Sequence, residues 1–188
     1  MDFGFITSRQ SDERLMQRAA EGSERAFEEL YKRYARRLQG FFWRQMPCRD
    51  IASDLTQDVF LRAYAARHTW QKGKNVESWL FTIAYNLCRN TWRHQQIEAG
   101  FRSNVTTDEY AMPSVEVDLD RDALDSALHE VLESLDDGNR LLFSLRYEEE
   151  QTVPQIATII GIPEGTVKSR LHKLINIIKH QLKRYEDK

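Results

Sequence analysis

The chain has 188 residues, with 27 Lys and Arg against 29 Asp and Glu and a formal net charge of −2. No run approaches the roughly 20 apolar residues of a membrane span, and the N-terminus MDFGFITSRQ lacks the basic segment and apolar core of a secretory leader. Cys48 and Cys88 form no C-x-x-C pair and lie near no histidine at metal-ligand spacing, which points to reduced thiols, a cytoplasmic setting, no metal and no cofactor.

The small net charge hides a segregation. Residues 12–97 hold 15 Lys and Arg against 10 Asp and Glu, residues 98–137 hold 2 against 12, and residues 164–188 hold 7 against 3. Two basic blocks flank an acidic one, so a polyanionic partner is allowed at both ends.

Residues 1–11 read as a tail. Ser11 caps a short helix with Leu15, Met16, Ala19 and Ala20 inward, and Gly22 stops it. Ser23 caps the next, where Phe27, Leu30, Tyr31, Tyr34, Leu38, Phe41 and Phe42 keep helical spacing. Its other face holds Lys32, Arg33, Arg36 and Arg37, and Pro47 ends it.

A third helix begins near Ile51, with Ile51, Ala52, Leu55, Val59 and Ala63 inward. Asp54, Gln57, Asp58, Leu61 and Arg62 fall on other faces, and the apolar stripe leaves Leu61 and Phe60 unclaimed. An extra apolar spot beside acids suits docking on a partner; a broader core face explains it equally well. Residues 67–77 are a loop by their Gly and polar content. Trp70, Lys72 and Lys74 there suit stacking on unpaired bases with phosphate contact, although by spacing alone Trp70 is better explained as covering the core. In the fourth helix Leu80, Ile83, Ala84, Leu87, Cys88 and Thr91 point one way. Tyr85, Asn86, Arg89 and Arg93 share the other side with Thr82, a set able to stack on bases and to contact base edges and phosphates.

Residues 98–122 turn acidic, lose the helical period and read as a flexible linker. The period returns with Leu124, Ala127, Leu128, Val131, Leu132 and Leu135, and breaks at Asp137 and Gly138. A further helix carries Leu141, Leu142 and Leu145.

In the closing stretch Thr152 and Gln155 have capping-box spacing, Pro154 falls in the first turn, and Ile156, Ala157 and Ile160 form an apolar face that Gly161 ends. Beyond Pro163, Val167, Leu171, Leu174, Ile175, Ile178 and Leu182 repeat as one stripe. The opposite side holds Lys168, Ser169, Arg170, His172 and Lys173. A short helix, a glycine turn and a basic amphipathic helix make a helix-turn-helix, whose second helix fits the DNA major groove. Two packed helices with a solvated polar face are the plainer alternative. No segment alternates like a strand, so the fold is all-α: two small helical domains, over 12–97 and 123–188, joined by the acidic linker. No nucleotide-binding, metallopeptidase or hydrolase signature occurs, and the chain does not read as an enzyme.

Four stretches, AFEELYKRYARRL, DLTQDVFLRAY, SWLFTIAYNLCRN and IATIIGIPEGTVKSRLHKL, together resemble the bacterial RNA polymerase sigma factors of the small extracytoplasmic-function group. The resemblance implies that residues 12–97 are sigma region 2 and 123–188 sigma region 4. It implies that Asp54, Gln57, Asp58, Phe60, Leu61 and Arg62 dock on the β′ clamp helices of the polymerase core. Trp70, Lys72, Lys74, Tyr85, Asn86, Arg89 and Arg93 would read the −10 promoter element and hold a flipped base. Gly165, Thr166, Lys168, Ser169, Arg170, His172 and Lys173 would read the −35 duplex, with the same domain meeting the β flap. The acidic linker would thread toward the active-site channel. An anti-sigma factor is the further partner implied, and it could hold the protein at the inner membrane. Asp58 stands where the family more often has Glu, Trp70 where Phe is usual, and Asn90 where Asp is common. A stand-alone regulator and a polymerase-binding decoy remain as other readings.

Overall fold

The structure is a computed structural model that describes residues 10–46, 48–102 and 122–186. The described residues form helices and turns without a strand, the all-α fold expected. They are α1 (Asp12–Ala20), α2 (Glu24–Gln45), α3 (Arg49–Ala66), a 3-10 turn (Arg67–Thr69), α4 (Val76–Arg102), α5 (Asp122–Glu133), α6 (Asp137–Phe143), a π turn (Ser144–Glu148), α7 (Val153–Ile160) and α8 (Glu164–Glu186). The chain divides into two compact units between Leu87 and Cys88, inside α4.

In the first unit the capping signals act as the sequence predicts. Ser11 and Ser23 accept hydrogen bonds from the N–H groups of Arg14 and Ala26, each satisfying one of the orphan donors of a helix start. Gly22, between α1 and α2, has φ +102°, a conformation closed to most other residues. Leu15, Met16, Leu30, Leu38, Phe41, Phe42, Val59, Ala63, Leu80, Phe81 and Ala84 are buried. Phe41 meets Phe81 edge to face at 5.4 Å, which fixes α2 against α4.

Three expectations change. Tyr31, assigned to the inner face of α2, is exposed because it lies at the rim of the α2–α3 seam. The basic face of α2 is not free: Arg33 pairs with Asp12 and Glu29, and Arg37 with Glu77 at 2.7 Å. Residues 98–102, assigned to the linker, are helical, since α4 runs on to Arg102; 103–121 lie outside the described residues, as do the tail before Gln10 and Pro47.

In the second unit α5 and α6 part at Ser134–Asp136, and Asp136 caps α6 through the N–H of Asn139 at 2.9 Å. The expected break between the two helices is present at 134–136, and Asp137 and Gly138, to which it was assigned, form the first turn of α6 behind the Asp136 cap. Cys88 is wholly buried, which pushes its thiol pKa up and suits a small apolar residue. Among the described residues no helix is long and apolar enough to cross a membrane, and no cluster of side chains could hold a metal ion.

Candidate nucleic-acid interface

The helix-turn-helix forms from local signals. The N–H and hydroxyl of Thr152 both donate to Oε1 of Gln155, at 2.8 and 2.7 Å. Gly161 ends α7 at φ +75° and ψ +36°, its N–H donating to the Ala157 carbonyl. Thr166 and Val167 then donate to the Pro163 carbonyl at 2.9 and 3.1 Å and start α8. Ile156 and Ile159 are the buried residues of α7, whereas Ala157 and Ile160 of the expected face are only half-buried. The buried side of α7 is therefore turned from the expected one, with Ile159 inside where Ala157 and Ile160 were assigned.

On α8, Val167, Leu171, Leu174 and Ile178 are buried, and Ile175 and Leu182 half-buried. Gly165, Lys168, Ser169, Arg170, His172 and Lys173 are exposed and Thr166 half-exposed. Ser169 Oγ donates to the Thr166 carbonyl at 3.0 Å. Helical spacing puts Gly165, Ser169, His172 and Lys173 on the centre of the outer side, with Lys168 and Arg170 flanking. Nothing lies within 4 Å of the place a Cβ would take on Gly165, so another surface could approach that backbone closely.

On α4, Tyr85 is half-exposed and Asn86, Arg89 and Arg93 are exposed, at spacings that give one side of a continuous helix. In the loop before it Lys72 and Lys74 are exposed. Gly73 between them has φ +87°. Trp70 is the exception. It is 8% exposed, and its indole N–H has no acceptor among the described residues. Stacking on an unpaired base needs a free ring face, so the structure places Trp70 as the buried root of the loop rather than as a contact.

On α3, Asp54, Gln57, Leu61 and Arg62 are exposed and Asp58 half-exposed. Arg62 approaches Asp58 at 3.6 Å. Phe60 does not belong to this surface. Its ring meets Tyr31 at 4.6 Å and Phe27 at 6.3 Å and is buried in the α2–α3 seam. The seam's rim holds two exposed aromatics absent from the sequence-based list: Tyr31, and Tyr64 with Arg67 stacked at 4.0 Å. Tyr31 was hidden in the apolar stripe, and no spacing signal separates a rim aromatic from a core one.

The sequence matches the family Sigma-70 region 2 over residues 30–97 and Sigma-70, region 4 over residues 125–174. RNA polymerase sigma factor CarQ of Myxococcus xanthus is 32% identical over 84% of this chain and 90% of its own length. The ECF RNA polymerase sigma-E factor of Escherichia coli is 27% identical over 92% of this chain and 94% of its own. Among solved structures, the sigma factor RpoE in complex with the anti-sigma factor NepR from Bartonella quintana superposes with a TM-score of 0.66 at 26% identity, over 84% of this chain and 96% of that one. CnrH, in complex with the cytosolic domain of CnrY, has the same fold, with a TM-score of 0.69 at 21% identity over 93% of this chain and 99% of that one. An exposed basic helix-turn-helix, a second helical unit with its own polar side, and matches to both sigma regions in chain order make this protein a member of the extracytoplasmic-function RNA polymerase sigma factors, which bring polymerase to specific promoters to start transcription.

Proposed function

We propose a division of labour among three surfaces of this sigma factor. The outer side of α3, with Asp54, Gln57, Asp58, Leu61 and Arg62, docks on the β′ clamp helices. Lys72 and Lys74 with Tyr85, Asn86, Arg89 and Arg93 of α4 engage the −10 element. Gly165, Thr166, Lys168, Ser169, Arg170, His172 and Lys173 read the −35 duplex, and the domain that carries them meets the β flap. The observation that carries this reading is Leu61, 68% exposed among acids on a helix whose other side is packed. A large aliphatic side chain left in water beside carboxylates fits a surface that a partner covers.

The mechanism is one of linked weak modules. Each base-edge contact in the major groove is worth about 1–3 kcal/mol, and phosphate contacts by the lysines make binding salt-dependent. Core polymerase sets the distance between the two modules, so the free protein binds promoter DNA weakly. Melting proceeds by trapping extruded bases and needs no reaction catalysed by this chain. The NepR complex of RpoE supports an anti-sigma partner here as well. Action at the nucleoid, with release from such a partner as the control step, follows from that reading.

Run-off transcription with purified core polymerase on a genomic promoter library tests it, with wild type beside Asp58→Arg. Transcripts that require the protein and vanish with the variant are expected. Tight promoter binding by the free protein without transcripts would make it a stand-alone regulator. Stable core binding without transcripts would make it a decoy.

A further inference from the structure

Helix α1 is joined to α2 and to the root of the 70–75 loop at once. Asp12, the first residue of α1, accepts the Arg33 guanidinium at 2.6 Å and the Tyr34 hydroxyl. Arg33 also donates to the Gln10 carbonyl at 2.8 Å and to Glu29 at 3.1 Å. The Arg33 and Asp12 side chains are 15% and 26% exposed, so their pairing is screened less than a surface bridge. Leu15, Met16 and Ala19 bury the apolar side of the same helix.

The 3-10 turn Arg67–Thr69 packs against α1 and α3. Trp70 follows directly. With no acceptor for its indole N–H among the described residues, packing rather than a directional bond holds the ring. The place from which the loop departs is therefore set by the turn before it, and so in part by α1. The region 2 match begins at residue 30, after α1 has ended.

We infer that Asp12 and Arg33 are positioning residues for promoter opening: their ion pair locks α1 onto α2, and α1 in turn holds the Arg67–Thr69 turn from which the loop carrying Lys72 and Lys74 departs. This inference rests on the reading of that loop as a −10 contact. Asp12 and Arg33 touch no DNA in this scheme. They preset the loop, so that no binding energy is lost in ordering it when duplex becomes single strand.

The test compares Asp12→Asn, Asp12→Ala and, as control, Glu13→Gln, which removes a first-turn charge without breaking the Arg33 pair. Lys72→Ala/Lys74→Ala is carried alongside. Each is assayed for folding by circular dichroism, for core affinity, and for transcription from a duplex promoter and from the same promoter with mismatched, pre-opened −10 bases. Asp12 variants are expected to fold and bind core as wild type does. Their duplex transcription should fall about tenfold, a scale consistent with slight misplacement of aligned groups, and should recover on the pre-opened template. A purely structural loss would not recover there. Duplex transcription by the Asp12 variants equal to that of Glu13→Gln, or a defect that persists on the opened template, overturns the inference while leaving the loop reading intact. Normal duplex transcription by Lys72→Ala/Lys74→Ala overturns the loop reading, and the inference with it.

Discussion

Phe60 and Leu61 are consecutive on α3 and lie on either side of the burial boundary: Phe60 is 5% exposed against Tyr31 and Phe27, and Leu61 is 68% exposed. One residue step on a helix turns a side chain from the core to the surface. Phe60→Ala should therefore destabilise the protein by about 3–4 kcal/mol through lost burial and a cavity. Leu61→Asp should leave the unfolding free energy within about 0.5 kcal/mol of wild type and abolish core binding. Urea unfolding and a core-binding assay on the two variants separate the roles. Strong core binding by Leu61→Asp would remove α3 from the polymerase interface.

Gly165 lies in the first turn of α8 in an exposed helix, with room for a Cβ. Gly165→Ala should raise stability by about 0.5–1 kcal/mol, as expected where Ala replaces Gly in a helix. It should nonetheless lower transcription from promoters that depend on the −35 element, because the methyl group would stand where the backbone nears the duplex. A thermal melt and a run-off assay read the two effects. A stabler protein with unchanged transcription would show that this turn stays clear of DNA.

Glu150 has φ +56° in the turn between the π turn and α7, and it is the one non-glycine among the described residues with positive φ. An L-residue is strained there, and Gly is not. Glu150→Gly should stabilise the C-terminal domain by about 0.5–1 kcal/mol after the added freedom of the unfolded chain is subtracted. A lower denaturation midpoint for the variant would mean that the Glu150 side chain contributes more than its backbone strain removes.

Tyr34 is buried and donates to Asp12, and burial followed by that hydrogen bond pushes its pKa above the ordinary 10.0. The unfolded chain therefore releases this proton first. Stability from Tyr34 is complete below pH 10 and is lost as pH rises beyond it. Tyr34→Phe should be less stable at neutral pH and should lose stability less steeply above pH 10. Parallel slopes for the two proteins in alkaline denaturation would contradict the buried hydroxyl.

Most of what makes the helix-turn-helix is written within a few residues of itself. Thr152 with Gln155, Pro154, Gly161 and the four-three spacing from Val167 to Ile178 act through bonds and steric limits inside one or two turns, and each appears in the structure as the sequence predicts. The same holds for Ser11, Gly22 and Ser23. The outer faces of α8 and α4 were legible for a related reason: on a long helix the buried stripe leaves the opposite side to solvent. What only the tertiary structure decided involves partners distant in the chain. Arg33 reads as part of a basic face until Asp12, 21 residues away, closes on it. Trp70 reads by spacing as a cover for the core and by composition and resemblance as a base contact, and its burial decides for the first. Phe60 and Leu61 are alike in composition, and the approach of α2 alone selects which one is covered. Local propensity sets where a helix starts and stops; burial of a single side chain is a property of two surfaces, and the second surface is specified elsewhere in the sequence.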